Sequence, residues 1–257
     1  QALEPALDVH LARIKALLDA GDEASATEAF FDFRCVDIAM GSGHFLIAAI
    51  DRIERRFSNF LADHPIAGIA LELQRLRQAA AEALGGLADA YEIESSSLLR
   101  RQIARRCIYG VDINALSVEL ARVSVWIHTF VPGLPLSFLS HGLIHGNSLT
   151  GIGTVDEAME VLGGLPLFRA GILKALEAGT KALARLSQLT EADHREIETA
   201  RAEHAQVMQE IAPVERLLDI CVAARTGVVD IPLESNPEMI LDTADSERAA
   251  RHARDFN

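Results

Sequence analysis

Phe33-Arg34-Cys35-Val36-Asp37-Ile38-Ala39-Met40-Gly41-Ser42-Gly43-His44-Phe45-Leu46 is the stretch on which the fold of this chain turns. Its first half is short, apolar and β-capable, and it breaks at Met40-Gly41-Ser42-Gly43. Phe45, Leu46, Ala49, Ile50 and Ile53 then recur at helical spacing. The pattern predicts a strand, a glycine turn and a helix. A glycine turn in that place lets backbone N–H groups approach a ligand, and the amino terminus of the helix adds positive potential. An ordinary tight connection uses the same two glycines. Leu46 stands where a dinucleotide fingerprint GxGxxG has its third glycine, which disfavours an NAD site.

Two further units lie downstream. Arg106 to Asp112 predicts a second strand, and Leu116, Leu120, Val123 and Ile127 predict the apolar face of a helix stopped by Pro132-Gly133. Leu143-Ile144-His145-Gly146-Asn147-Ser148 reads as a third short strand ending in a polar turn. Strands alternating with helices pair in parallel, because parallel neighbours need long crossovers. Between Asp63 and Ala104, Leu, Ala, Arg and Glu dominate, with breaks at Pro65 and Gly85-Gly86, so two or three inserted helices are expected. Upstream, Leu7, Leu11, Ile14 and Leu18 mark one helix ended by Gly21-Asp22.

Beyond Thr154 the chain reads as helices. Ile172, Leu176, Leu183 and Leu186 mark one, and Thr190 with Asp193 resembles a capping box for the next. Ile197, His204, Met208 and Ile211 continue, after Pro213, into Val214, Leu217, Leu218 and Cys221, which predicts a helical hairpin or small bundle. Gly227 to Ile231 reads as one extra strand and residues 241–255 as a charged helix. The fold class expected is α/β, a partial parallel sheet with large helical insertions.

Composition excludes several classes. Among 257 residues, 49% are hydrophobic, enough apolar surface to bury a core, so a disordered chain is excluded. No apolar run approaches the roughly 18–20 residues of a membrane span, and no repeat is visible. Cys35, Cys107 and Cys221 have no CxxC partner and no His at zinc spacing, so neither a disulfide framework nor a metal site is expected, and a reducing cytoplasm is the plain location. Gln1-Ala2-Leu3-Glu4-Pro5 lacks the basic and apolar run of a signal peptide and has no initiating Met, which suggests an excised piece. With Lys+Arg 24 against Asp+Glu 37, a net charge of −13 offers little grip on phosphate.

Asp112 closes the second strand, where an acidic side chain in doubly wound folds accepts hydrogen bonds from ribose hydroxyls; turn chemistry also favours Asp there. The glycine turn, Asp112 and Gly146-Asn147-Ser148 would bring three strand ends to one crevice. His44, beside the turn, is read as packing or capping, and Trp126 with Phe130 as core aromatics. The Arg100-Arg101 and Arg105-Arg106 pairs are read as solvated or ion-paired, although they would suit DNA phosphate.

Asp37 to Leu46 resembles motif I of the amino-methylating DNA methyltransferases, in which Asp-Pro-Ala-Cys-Gly-Ser-Gly followed by Phe-Leu wraps the methionine part of S-adenosylmethionine. Ile108-Tyr109-Gly110-Val111-Asp112-Ile113-Asn114 resembles motif II, and His145-Gly146-Asn147-Ser148-Leu149 resembles motif III. Residues 101–150, with Trp126 to Phe138 above all, are similar to the large restriction-modification and phage-defence methylases. Ile38 replaces the family's usual Pro and Met40 its frequent Cys; neither change removes a hydrogen-bonding side chain.

The resemblance implies a Rossmann-like methyltransferase core and N6-adenine methylation of DNA with S-adenosylmethionine. It places Asp37, Gly41 and Gly43 around methionine, Asp112 at the ribose and Asn147 at the adenine, with Ala39, Phe45 and Ile113 as further cofactor contacts. It divides the chain into an N-terminal helical segment 1–34, a cofactor-binding half-domain 35–150 with an insertion at about 62–104, and a mainly helical part 151–257. The family's acceptor motif, Asn or Asp followed by Pro-Pro and an aromatic, is missing, so no catalytic residue is assigned. Asn236-Pro237-Glu238 is the nearest approach and reads as a turn. Asp255-Phe256-Asn257 resembles the approach to that motif, so DNA contacts are expected mainly outside this sequence. An RNA or protein methyltransferase shares the cofactor motifs, and a non-catalytic helical scaffold is the third reading.

Overall fold

The computed structural model describes residues 3–85, 93–136, 139, 142–149, 151–161, 169–170, 172–174, 176–177, 179–181 and 194–228. These divide into two compact units, residues 1–144 with 189–199, and residues 145–188 with 200–257.

In the first unit, α1 (Glu4–Asp19) and α2 (Glu23–Phe30) precede β1 (Cys35–Asp37). Pro5 opens α1, where its missing N–H costs nothing, and Asp22 caps α2 by accepting the Ser25 N–H at 3.0 Å. The helix α2 was not expected, because its eight residues are too few for a periodic signal. After β1 come α3 (His44–Asp63), α4 (Ala67–Leu84) and α5 (Ser95–Arg106), then β2 (Ile108–Asp112), α6 (Ala115–His128) and β3 (Leu143–His145). The inserted helices therefore follow the breaks at Pro65 and Gly85.

The sheet has three parallel strands in the order β1-β2-β3, with Cys35 opposite Ile108 and Asp37 opposite Gly110. A mostly helical α/β unit is what the strand–helix alternation predicts. Cys35, Ile108 and Leu143 join Leu46, Ile50, Ile53, Ile103 and Val125 in one core, so α3, α5 and α6 meet the same face of the sheet. Two crossovers of the same hand between sequential strands must lie on one face. Val36 and Ile144, on the other face, are 59% and 47% exposed. Leu7, Leu11, Ile14 and Phe30 of α1 and α2 belong to the same core, where the Phe30 and Phe57 rings lie 4.6 Å apart.

The apolar stripe expected to bury α6 faces solvent instead. Leu116, Leu120, Val123 and Ile127 are exposed, and Val118, Ala121 and Val125 are buried. The helix is apolar on two sides, and its periodicity favours the bulkier one. A close approach to the glycine turn decides for the smaller side, since a Cβ on Gly43 would lie only 3.2 Å from the Cα and Cβ of Ala121. Arg122 fastens the same helix to β3, donating from Nε and Nη2 to the Leu143 carbonyl at 3.2 and 2.6 Å.

In the second unit, α7 (Val155–Val161) and α8 (His194–Arg225), whose first residues up to Thr199 belong to the first unit, are the helices with defined bounds. Ala158, Met159, Ile172, Leu217, Ile220 and Cys221 form the core of this second unit. The helix α8 runs unbroken through Pro213, and Leu217 and Cys221 of the stripe beyond it are buried. Leu183, Leu186, the Thr190–Asp193 box, most of the Gly227–Ile231 strand and the helix at 241–255 lie outside the described residues. No helix among the described residues is long and apolar enough to cross a membrane.

Candidate cofactor-binding site

Parallel pairing brings the carboxyl ends of β1 and β2 side by side, and the turn that follows β1 crosses the end of β2. Asp37 closes β1 by accepting the Ala39 N–H at 3.0 Å. The Met40 N–H then donates to the Val111 carbonyl at 3.1 Å, and the Gly43 N–H donates back to the Met40 carbonyl at 2.9 Å. Gly41 and Gly43 take φ values of +54° and +85°, a region that costs any residue with a Cβ about 1–2 kcal/mol. Gly43 is also the amino-terminal cap of α3, and its carbonyl receives the Ile47 N–H at 3.0 Å.

Asp112 faces that turn. Its Oδ2 accepts the Gly41 N–H at 2.8 Å across 71 residues of sequence, and its Oδ1 accepts the Asn114 N–H at 2.8 Å. One carboxylate thus ties the β1–α3 turn to the β2–α6 turn. Asn114, an unpredicted contributor, caps α6 by accepting the Leu116 N–H on its own Oδ1 at 2.9 Å.

The turn is shaped from beneath by Met40, Leu46 and Gly110. Met40 is buried, and a Cβ on Gly110 would collide with its Sδ. A glycine inside a strand signals such an approach. Gly110 carries that signal in the sequence, whereas the small Ala121 opposite Gly43 has no local signature.

Above the turn the surface is open. Apart from its chain neighbours, no atom lies within 4 Å of where a Cβ on Gly41 would sit. Phe45 and Ile113, each next to a residue of the Gly41–Asp112 region, are 56% and 58% exposed, and Ile38 is exposed as well. The structure therefore gathers Asp37, Ala39, Gly41, Gly43, Phe45, Asp112 and Ile113 at two adjacent strand ends. Asn147 belongs to the second unit, where its Oδ1 accepts the Leu149 N–H at 2.9 Å and its carbonyl the Gly151 N–H at 3.3 Å.

Comparison with protein-family models, with curated proteins and with solved structures finds no match. The residues themselves must carry the chemical argument.

Cys35 and Cys107 are buried in the core beneath this site. Burial pushes the Cys35 thiol above its ordinary range, with the Asp37 charge adding to it, and burial pushes Cys107 up to about 12. Ser42 Oγ and His44 Nδ1 lie 3.0 Å apart on an exposed turn, so His44 bonds its neighbour in the loop. Among the described residues no group of three or more His, Cys, Asp or Glu is placed to hold a metal ion.

The arginine pairs are drawn into the fold. Arg101 and Arg105 are buried, Arg106 pairs with Glu72 at 3.3 Å and covers the Phe31 ring, and Arg100 lies 3.5 Å from Asp51. Arg100 and Arg106 are thus ion-paired, as expected, whereas Arg101 and Arg105 are not solvated: α5 packs between α3, α4 and β2, and these positions are enclosed. Trp126 packs on the core, as expected, whereas Phe130 is exposed and is not the core aromatic its helical spacing suggested.

Proposed function

We propose that the first unit is an S-adenosylmethionine-binding module of the methyltransferase type, with a Rossmann-like sheet, serving transfer of a methyl group to the amino nitrogen of adenine in DNA. The observation that carries this reading is the juxtaposition of two positive-φ glycines with the Asp112 carboxylate at the ends of neighbouring parallel strands. Ligands of open α/β sheets bind at the carboxyl ends of the strands.

The donor set suits the cofactor. Glycine at 41 leaves space beside the backbone for a bulky ligand, and Asp112 keeps acceptor capacity, since an ionised carboxylate has about four lone-pair sites and two backbone donors occupy it. Those free sites suit the two ribose hydroxyls. Exposed Phe45 and Ile113 supply apolar cover for a purine, an exposure that core packing leaves unexplained. The Asp37 carboxylate holds the Ala39 amide and so orients the start of the turn toward the methionine portion.

Bound there, the cofactor would supply an electrophilic sulfonium methyl. The chain's own contribution is to bind and orient it, because the residues that hold an acceptor base in the family are absent from this sequence.

Titration calorimetry with S-adenosylmethionine and S-adenosylhomocysteine tests the proposal. Saturable 1:1 binding of both, weakened in an Asp112→Ala variant that stays folded, is the expected result. A folded wild-type chain that binds neither overturns it and favours a scaffold role.

A further inference from the structure

We propose that Asp112 is a positioning residue for the glycine turn, in addition to any ligand contact it makes: its carboxylate sets the direction of the Gly41 amide before a ligand arrives. The identity of that ligand rests on the S-adenosylmethionine reading, whereas the positioning role rests on geometry alone.

The neighbours of Gly41 are fixed by other means. Met40 is buried, with its N–H on the Val111 carbonyl, and Gly43 is held by its bond to the Met40 carbonyl and by its closeness to Ala121. At Gly41 φ is +54°, and apart from its chain neighbours no atom lies within 4 Å of the position of a Cβ, so side-chain packing does not choose its conformation. Glycine has the widest conformational freedom of any residue and loses the most on being fixed. The Met40 carbonyl at one end of this peptide receives the Gly43 N–H, and the hydrogen bond from Gly41 N–H to Asp112 Oδ2, at 2.8 Å, holds its N–H end.

The other carboxylate oxygen is equally committed. Asn114 N–H holds Oδ1 at 2.8 Å, which stops the carboxylate from rotating away from the turn, and Asn114 also caps α6. The start of α6 therefore locks Asp112, and Asp112 locks Gly41. A ligand with vicinal hydroxyls would use the lone pairs that remain on the same two oxygens, so diol binding and turn conformation share one group. Charge-assisted bonds of this kind exceed neutral ones in strength, which makes the restraint large enough to measure.

The experiment is the hydrogen-exchange rate of the Gly41 amide, read by nuclear magnetic resonance on the whole chain without ligand. In Asp112→Ala it should rise about tenfold or more, while the Leu46 and Ile50 amides of α3 keep their protection. Asp112→Asn is the second variant, isosteric and less disruptive; its single carbonyl can serve only one of the Gly41 and Asn114 amides, so one of the two should exchange faster. A Gly41 rate unchanged in a folded Asp112→Ala variant, or both amides unchanged in Asp112→Asn, overturns the proposal. The ligand arm uses S-adenosylhomocysteine. Saturation that shifts the Gly41 resonance supports the shared carboxylate, and saturation that leaves it unmoved overturns it. Failure to bind at all counts against the cofactor reading, while the exchange result in ligand-free protein still decides the role of Asp112.

Discussion

The sulfur of Met40 occupies the space that a Cβ on residue 110 would need, so the turn after β1 rests directly on the backbone of β2. Leu46 Cδ1 and Leu143 Cδ2 close the same gap, at 3.1 and 3.2 Å from that position. Gly110→Ala should therefore cost about 1–3 kcal/mol of stability, as overpacking in a filled core does. Met40→Ala in the same chain should recover part of that loss. Urea unfolding of the two single variants and the double variant measures the coupling, and strict additivity would show that the two residues do not touch.

The two turn glycines differ in surroundings, so their substitutions should differ in cost. Gly41→Ala meets only the strain of a positive φ, about 1–2 kcal/mol, because the space beside it is open. Gly43→Val adds contact with the Ala121 backbone and side chain to similar strain, and should be the more damaging. It should also abolish cofactor binding. Normal binding by Gly43→Val in calorimetry would remove Gly41-Ser42-Gly43 from the site.

Stability should be insensitive to charge on the outer side of α6. Ile127→Lys should change unfolding free energy by no more than about 0.5 kcal/mol, since Ile127 is 73% exposed, whereas Ile50→Ala should cost about 2–5 kcal/mol. Chemical denaturation decides. Comparable losses for both would mean that the Leu116-Leu120-Val123-Ile127 face is covered in solution.

Acid should weaken the first unit through His10. Burial holds this imidazole below its ordinary range, with Arg13 acting in the same direction, while Nε2 donates to the Phe30 carbonyl at 3.0 Å. An unfolded chain thus binds a proton more readily than the folded one, and stability rises with pH. The contribution is complete above the ordinary histidine value near 6.5 and is lost as pH falls through it toward the folded value. His10→Gln should flatten the decline in unfolding free energy between about pH 6.5 and 5. An unaltered slope would assign the effect to other groups, of which His204 shifts in the same direction.

Thiol reagents should report on global unfolding alone. Cys35, Cys107 and Cys221 are buried, and burial pushes Cys107 and Cys221 up to about 12. A colorimetric disulfide reagent at pH 8 should label none of them in native protein and all three in denaturant. Rapid labelling of the native chain would show that a core described as closed is open.

Much of the architecture is written in local pattern. The strand over Cys35–Asp37, the break at Gly41 and Gly43, the α3 face of Leu46, Ala49, Ile50 and Ile53, and the second and third strands follow from spacing and residue type, because backbone conformation and one-sided burial both act within a few residues. Asp112 is visible as a strand-end acid, and the glycines are visible as a turn. The tie between them is not, since it spans 71 residues and exists only once β1 and β2 pair in register. The burial of Arg101 and Arg105 and the choice of face on α6 are decided in the same way. Each side of α6 is apolar, and the close approach of Ala121 to Gly43, with Arg122 bonded to the Leu143 carbonyl, goes with the packing of the smaller one. Sequence pattern determines which segments can be strand, turn or helix; tertiary structure decides which of two apolar faces fits, because packing at fixed distance depends on side-chain size at residues that are remote in the chain.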